Sequence, residues 1–176
     1  MRLFVAINFN DETRARLISL RDELRSRSKY GNFTLDDNLH LTLVFIGECN
    51  PKNLDKVKAI LDTVTFDPFE AAIERLGTFS RGTLWWAGLS EDKPLMDLQH
   101  EIEYKLALCS FEMDGRKYHP HITLGREVVT DTALWAIEPF GETVTSIELM
   151  KSERINGKLT YTAIYERRID YGTENV

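Results

Sequence analysis

The sequence is short of cysteine, of histidine, of net positive charge and of long apolar runs, and each shortage removes a class of protein. Cysteine occurs only at Cys49 and Cys109, far apart and outside any Cys-x-x-Cys spacing. That leaves neither a disulfide framework nor a thiolate zinc site, and two ordinary buried thiols are expected. No apolar run approaches the ~20 residues that a membrane-spanning helix needs. The opening Arg2–Phe9 stretch is apolar but short, and it leads straight into a polar helical pattern. It therefore lacks the form of a secretory signal. These absences set the expectation of a soluble, cytoplasmic, monomeric protein with no membrane partner.

Net charge is −6. A protein that coats nucleic acid by neutralising many phosphates shows the opposite balance. A local pocket for one phosphate, or for one RNA end, stays open. Arg14, Arg16, Arg21, Arg25, Arg27 and Lys29 make one stretch basic, but Asp22 and Glu23 interrupt it. Such a helix reads first as a solvated face.

What is present is an ordinary globular balance, 43% hydrophobic and 28% charged over 176 residues, enough for one domain spanning 1–176. Residues 2–9 alternate like a strand. Asn10 can cap a helix to about Ser28, with Leu17, Leu20 and Leu24 on one face. Residues 39–47 return to strand chemistry and end at Gly47. Asn50-Pro51 starts a second helix with Leu54, Val57, Leu61 and Val64 as its buried stripe. Strands are expected at 69–79 and 83–89, joined at Ser80-Arg81-Gly82. A third helix begins near Pro94, with Leu95, Leu98, Ile102, Leu106 and Cys109 at helical spacing. Residues 115–120 read as a loop entering a strand at His121, 131–137 as a short helix, and 143–151 and 158–169 as strands turning at Asn156-Gly157. Helices mixed with hairpins favour an α+β fold over a doubly wound parallel sheet.

One repeat stands out. His40-Leu41-Thr42-Leu43 recurs as His121-Ile122-Thr123-Leu124. On a strand, residues two apart share a face, so each element presents one imidazole and one hydroxyl while its apolar residues pack behind. A single such His is usually a satisfied structural residue. With four His and fifteen Thr in the chain, two matches arise by chance on the order of once in a thousand. The pair suits phosphoryl chemistry. One neutral imidazole takes a proton from the attacking group and one imidazolium delivers a proton to the departing oxygen. The Thr hydroxyls donate to the phosphate oxygens where charge accumulates.

The paired His-x-Thr-x elements resemble those of the 2H phosphoesterase superfamily, and within it the RNA 2',3'-cyclic phosphodiesterases, historically called 2'-5' RNA ligases. The resemblance spans nearly the whole chain: Arg2–Ile7, Asp37–Leu43 with Phe45–Glu48, Leu84–Gly88, Pro120–Arg126, and Ile147–Leu149 with Lys151-Ser152. It departs at Phe33, where Trp is common in the family, and at Gly125, where Ala is common. The resemblance implies a bilobal α+β fold, two pseudo-symmetric lobes with antiparallel sheets bringing one motif each to a central cleft. It implies hydrolysis of RNA 2',3'-cyclic phosphate ends to 2'-phosphates, and the joining of certain RNA ends through 2'-5' bonds. No cofactor or metal is expected, since the sequence offers no convincing ligand set. By family convention His40 is the proton donor and His121 the acceptor.

Other residues carry weaker signals. Arg126 could clamp a phosphate in two-pronged fashion, but strict alternation puts it on the face opposite His121 and Thr123 unless a bulge intervenes. His119 and His121 are two apart without a completing ligand set, so a loop-facing His119 is expected. His100 reads as an exposed helical residue. Trp85 and Trp86 must face opposite sides of their strand, one towards the core and the other available to a base. Tyr118, before the second motif, is a further candidate base contact. Two alternatives stand beside the RNA-end reading: a cyclic phosphodiesterase acting on a small cyclic nucleotide, and a non-catalytic RNA-end binding protein.

Overall fold

In the computed structural model, residues 1–169 are described. They form nine strands and three α-helices in the order β1 (Arg2–Ile7), α1 (Asp11–Ser26), β2 (Ser28–Phe33), β3 (Leu41–Glu48), α2 (Leu54–Asp62), β4 (Phe69–Phe79), β5 (Leu84–Leu89), α3 (Lys93–Leu108), β6 (His121–Thr130), β7 (Phe140–Val144), β8 (Ser146–Ile155) and β9 (Lys158–Arg168). The strands make two sheets, of order β3-β1-β8-β9 and β2-β6-β5-β4-β7. Every pairing is antiparallel. The expected α+β architecture is present, with one histidine motif on each sheet.

Alternation in β1 shows how the sequence builds both faces. Leu3, Val5 and Ile7 enter the main core, while Phe4 and Ala6 join Met150 in a small second cluster on the other face. Leu3 to Ile7 are all buried, so both faces of β1 are covered and the strand reads as continuously apolar. In α1, the Asn10 side chain accepts from the Thr13 N–H at 2.9 Å and Asp11 and Glu12 occupy the first turn, where the helix dipole favours acid.

Several elements differ from expectation. The first helix ends at Ser26, and Ser28–Phe33 is a strand on the outer edge of β6. Its polar, glycine-containing sequence carries no apolar alternation, so only the neighbouring edge reveals it. Residues 131–137 form no helix. The segment is too short to repay helix nucleation and Pro139 disfavours helical backbone at Glu138. It forms no regular element, and Trp135 and Ile137 both pack against the core. The strand expected over 143–151 is two strands, β7 and β8, on different sheets.

The basic face of α1 is structural. Buried Arg21 pairs with Asp22 and Asp36 and donates to the Thr34 carbonyl. Arg16, Arg25 and Arg27 lie over the rings of Phe140, Phe33 and Trp135. Arg14 donates to the carbonyls of Asp36 and Leu39 at 2.8 and 3.1 Å. The helix thereby pins the loop that leads into the first motif.

Candidate active site

His40 is the last residue before β3 rather than a member of it, and His121 is the first residue of β6. Each ring is fixed in the same way. His40 Nδ1 lies 2.7 Å from the Asn38 carbonyl and His121 Nδ1 lies 2.6 Å from the His119 carbonyl. A carbonyl only accepts, so Nδ1 carries the proton in both rings and the neutral lone pair is on Nε2. The upstream carbonyl that sets the first tautomer is itself anchored. Asn38 is buried and its side-chain amide donates to the Leu159 carbonyl of β9 at 2.9 Å. His40 Nε2 accepts from the Thr42 hydroxyl at 2.8 Å.

Aromatic rings complete each setting. His40 meets Phe4 and Tyr161 at centroid distances of 5.0 and 5.1 Å, Tyr161 edge-on. His121 meets Phe79 edge-on at 5.0 Å and Trp86 at 6.1 Å. Trp85 is buried and bonds back to the Gly82 carbonyl, whereas Trp86 shares the face of Thr123 and His121 through the Trp86↔Thr123 and Gly88↔His121 register. The two tryptophans thus divide as alternation requires. Trp86 lies against backbone: a Cβ on Gly77 would come within 2.2 Å of its ring, and one on Gly88 within 2.6 Å. Larger residues at either place would displace it.

The two motifs meet in one place. His40 feels the charge of His121, and Tyr118, from the loop before the second motif, donates to the Thr42 carbonyl of the first at 2.8 Å. That hydrogen bond occupies the Tyr118 hydroxyl and its ring packs against the core, so Tyr118 is not the free base contact expected from the sequence. Arg126 also joins this region. Thr123 pairs with Trp86 and Gly125 with Trp85, so Leu124 is an extra residue and β6 carries a bulge. The bulge resets the alternation, and the Arg126 charge reaches both His121 and Tyr161. Phe45, exposed on β3, sits beside Phe4 at 6.2 Å and extends the aromatic surface next to His40. Nothing in the sequence alone distinguished Phe45 from the buried strand residues around it.

Burial dominates the electrostatics. It pushes His40 down from 6.5 to about 4, with the charges of Arg14 and His121 adding to the effect and the Asn38 carbonyl opposing it. Burial also lowers His121, helped by Arg126 and His119 and opposed by the His119 carbonyl. Both rings are therefore neutral bases at neutral pH. His119 is exposed and faces Glu91 at 3.5 Å, and exposed His100 stacks on Tyr104. Among the described residues, no group of three or more His, Cys, Asp or Glu is placed to hold a metal ion. Phe33 and Gly125, the two departures from the family pattern, pair with each other across β2 and β6, and a Cβ on Gly125 would meet the Phe33 ring at 3.1 Å.

Comparison with known proteins fits this geometry. The 2'-5' RNA ligase superfamily matches residues 8–156, a span that holds both histidine motifs. The chain belongs to that superfamily. Among relatives within it, the RNA 2',3'-cyclic phosphodiesterase of Archaeoglobus fulgidus is 32% identical over 151 residues, covering 81% of this chain and 85% of the relative. The Escherichia coli RNA 2',3'-cyclic phosphodiesterase is 27% identical over 168 residues, covering 93% of each chain. The fold matches that of E. coli LigT crystallised with 3'-AMP, with TM-score 0.83, 24% identity and 96% of each chain covered. LigT has also been crystallised with ATP and with NADP+. No helix among the described residues is long and apolar enough to cross a membrane.

Proposed function

We propose that the protein hydrolyses 2',3'-cyclic phosphate ends of RNA to 2'-phosphates, using His40 as proton donor and His121 as proton acceptor. The observation that carries this reading is the matched treatment of the two rings. Each Nδ1–H is tied to the carbonyl two residues upstream, which leaves each Nε2 for proton transfer at the shared cleft. The names of the relatives favour a cyclic phosphodiester as substrate and RNA as its carrier.

In the proposed step, His121 Nε2 takes a proton from water as the water oxygen bonds to phosphorus. The bond from phosphorus to the 3' oxygen breaks on the opposite side, and His40 delivers a proton to that oxygen. Burial keeps His40 neutral at neutral pH, so the substrate must charge it. A cyclic phosphodiester carries one negative charge, and a nearby anion favours the imidazolium. As the diester binds, the Thr42 hydroxyl turns from Nε2 to a phosphate oxygen. Thr123 and Arg126 hold the remaining non-bridging oxygens. Exposed Phe45 and half-buried Trp86 offer ring faces to the terminal base. With the 5' hydroxyl of a second RNA attacking in place of water, the same proton transfers would join RNA ends through a 2'-5' bond.

A second reading, in which a small cyclic nucleotide is the substrate, draws support from the mononucleotide complexes of LigT. Both are tested by incubating the protein in EDTA with an RNA oligonucleotide ending in 2',3'-cyclic phosphate and with 2',3'-cyclic AMP, beside His40→Ala and His121→Ala. Conversion of the RNA end to a 2'-phosphate by the wild type alone is the expected result. Turnover of the mononucleotide only would transfer the reading to small substrates. Binding of the RNA end without turnover of either would make the protein a binding module.

A further inference from the structure

The loop that leads into each histidine motif makes a hydroxyl hydrogen bond to the other motif. Tyr118 precedes His121 and donates to the Thr42 carbonyl at 2.8 Å. Thr34 precedes His40 and its hydroxyl donates to the Thr123 carbonyl at 2.8 Å. The exchange is reciprocal: both acceptors are the backbone of the motif threonine, two residues beyond the imidazole. β3 is the edge of its sheet, and a side chain from the loop before the second motif bonds the Thr42 carbonyl there.

We infer that Tyr118 and Thr34 are positioning residues, a pair of cross-struts that hold the two motifs in register so that both Nε2 atoms address one phosphorus. The inference rests on the two-histidine reading above. Two observations point the same way. No strand pairing joins β3 to β6, because they belong to different sheets. The Thr34 N–H donates to the Leu124 carbonyl at 2.9 Å and ties that loop to β6, and the two hydroxyl bonds add side-chain ties between the motifs. The Tyr118 hydroxyl is buried enough that its pKa is pushed far up, and it remains a donor at every pH where the histidines titrate. An acid and a base that act on opposite sides of one phosphorus depend steeply on spacing, and a displacement of about 1 Å can cost about a hundredfold in rate.

Tyr118→Phe and Thr34→Val each remove one hydroxyl and keep most of the packing. The test measures kcat and KM for RNA cyclic-phosphate cleavage in each variant and in the His40→Ala background, with Tm alongside. Each strut variant is expected to lower kcat about tenfold with KM within about twofold and Tm within a few degrees. In the His40→Ala background the same substitutions should have no further effect, because the residual rate no longer depends on a matched pair. An unchanged kcat, or a loss of the same factor in the His40→Ala background, would overturn the struts. If Tyr118→Phe fails to fold, Thr34→Val decides by the same criteria. If the wild type cleaves no cyclic phosphate, the functional reading has failed and the struts are judged by the His40 imidazole titration followed by NMR. Loosening the first motif admits water, so Tyr118→Phe should move that titration up; an unmoved titration would overturn the inference.

Discussion

His40 and His121 both donate Nδ1–H to a carbonyl two residues upstream, yet the two half-sites are built to different depths. On the first, Asn38 is buried and bonded to β9, the Thr42 hydroxyl caps Nε2, and Phe4 rests on a small apolar cluster of its own. On the second, the supporting carbonyl belongs to exposed His119 and the ring leans on Trp86, which is seated on glycine backbone. Both imidazoles share the carbonyl bond and aromatic neighbours, and the first adds a hydroxyl on Nε2 and a buried, hydrogen-bonded Asn38 behind its carbonyl. The lesson is that a repeated motif sets the chemistry twice, while the surroundings assign each copy a different electrostatic starting point.

The comparison can be broken most forcefully by removing each ring in turn. His40→Ala and His121→Ala should each lower kcat about a thousandfold or more on the RNA end. On bis(4-nitrophenyl) phosphate, whose leaving group departs without a proton, the His40→Ala deficit should shrink while that of His121→Ala persists. The reverse pattern would exchange the roles.

A smaller effect concerns stability. His40 falls from 6.5 to about 4 on folding, so the unfolded chain binds a proton before the folded one does. Stability is full above the unfolded value and is lost as pH falls through that window, by about 3 kcal/mol in total. Chemical denaturation between pH 7 and pH 4 should show His40→Gln losing less stability than the wild type over this range. His121→Gln should flatten the profile less, since its ring is the less deeply set.

Shape on the second side is tested by Gly77→Ala. The new methyl overlaps the Trp86 ring, and overpacking of this kind costs about 1 to 3 kcal/mol. Thermal unfolding should report that loss, and kcat should fall with it because Trp86 carries His121. The mildest pair is Thr42→Val and Thr123→Val, each expected to lower kcat roughly tenfold through loss of one hydroxyl donor. Only Thr42→Val should raise the His40 titration, because only that hydroxyl bonds the neutral ring. Equal shifts at both histidines would erase the proposed asymmetry.

Particular residues show why some of this was legible in advance. The two His-x-Thr-Leu elements declare themselves by repetition, and Leu3, Val5 and Ile7 by alternation, because strand periodicity is a local property of the chain. Asn10 and Asn50 announce helix starts for the same reason: their side chains cap amides only two or three residues on. Arg126 could not be placed, since the bulge at Leu124 arises from register against β5. Strand β2 was invisible because its order comes from the edge of β6, and the 131–137 segment was misread because its apolar residues answer to the core at Trp85 rather than to one another.

The sequence by itself therefore determined the pair of imidazoles and hydroxyls, the apolar stripes and the α+β class, all of which depend on spacings of a few residues. The tertiary structure alone decided that the two sheets interleave along the chain. β1, β3, β8 and β9 make one sheet, while β2, β4, β5, β6 and β7 make the other. It also decided that His40 is the more deeply set ring, that a bulge turns Arg126 to the side of His121, and that Tyr118 and Thr34 reach to the opposite motif. These depend on contacts between residues far apart in the chain, such as Arg2 with Ser152 and Asn38 with Leu159, and no local periodicity encodes such contacts.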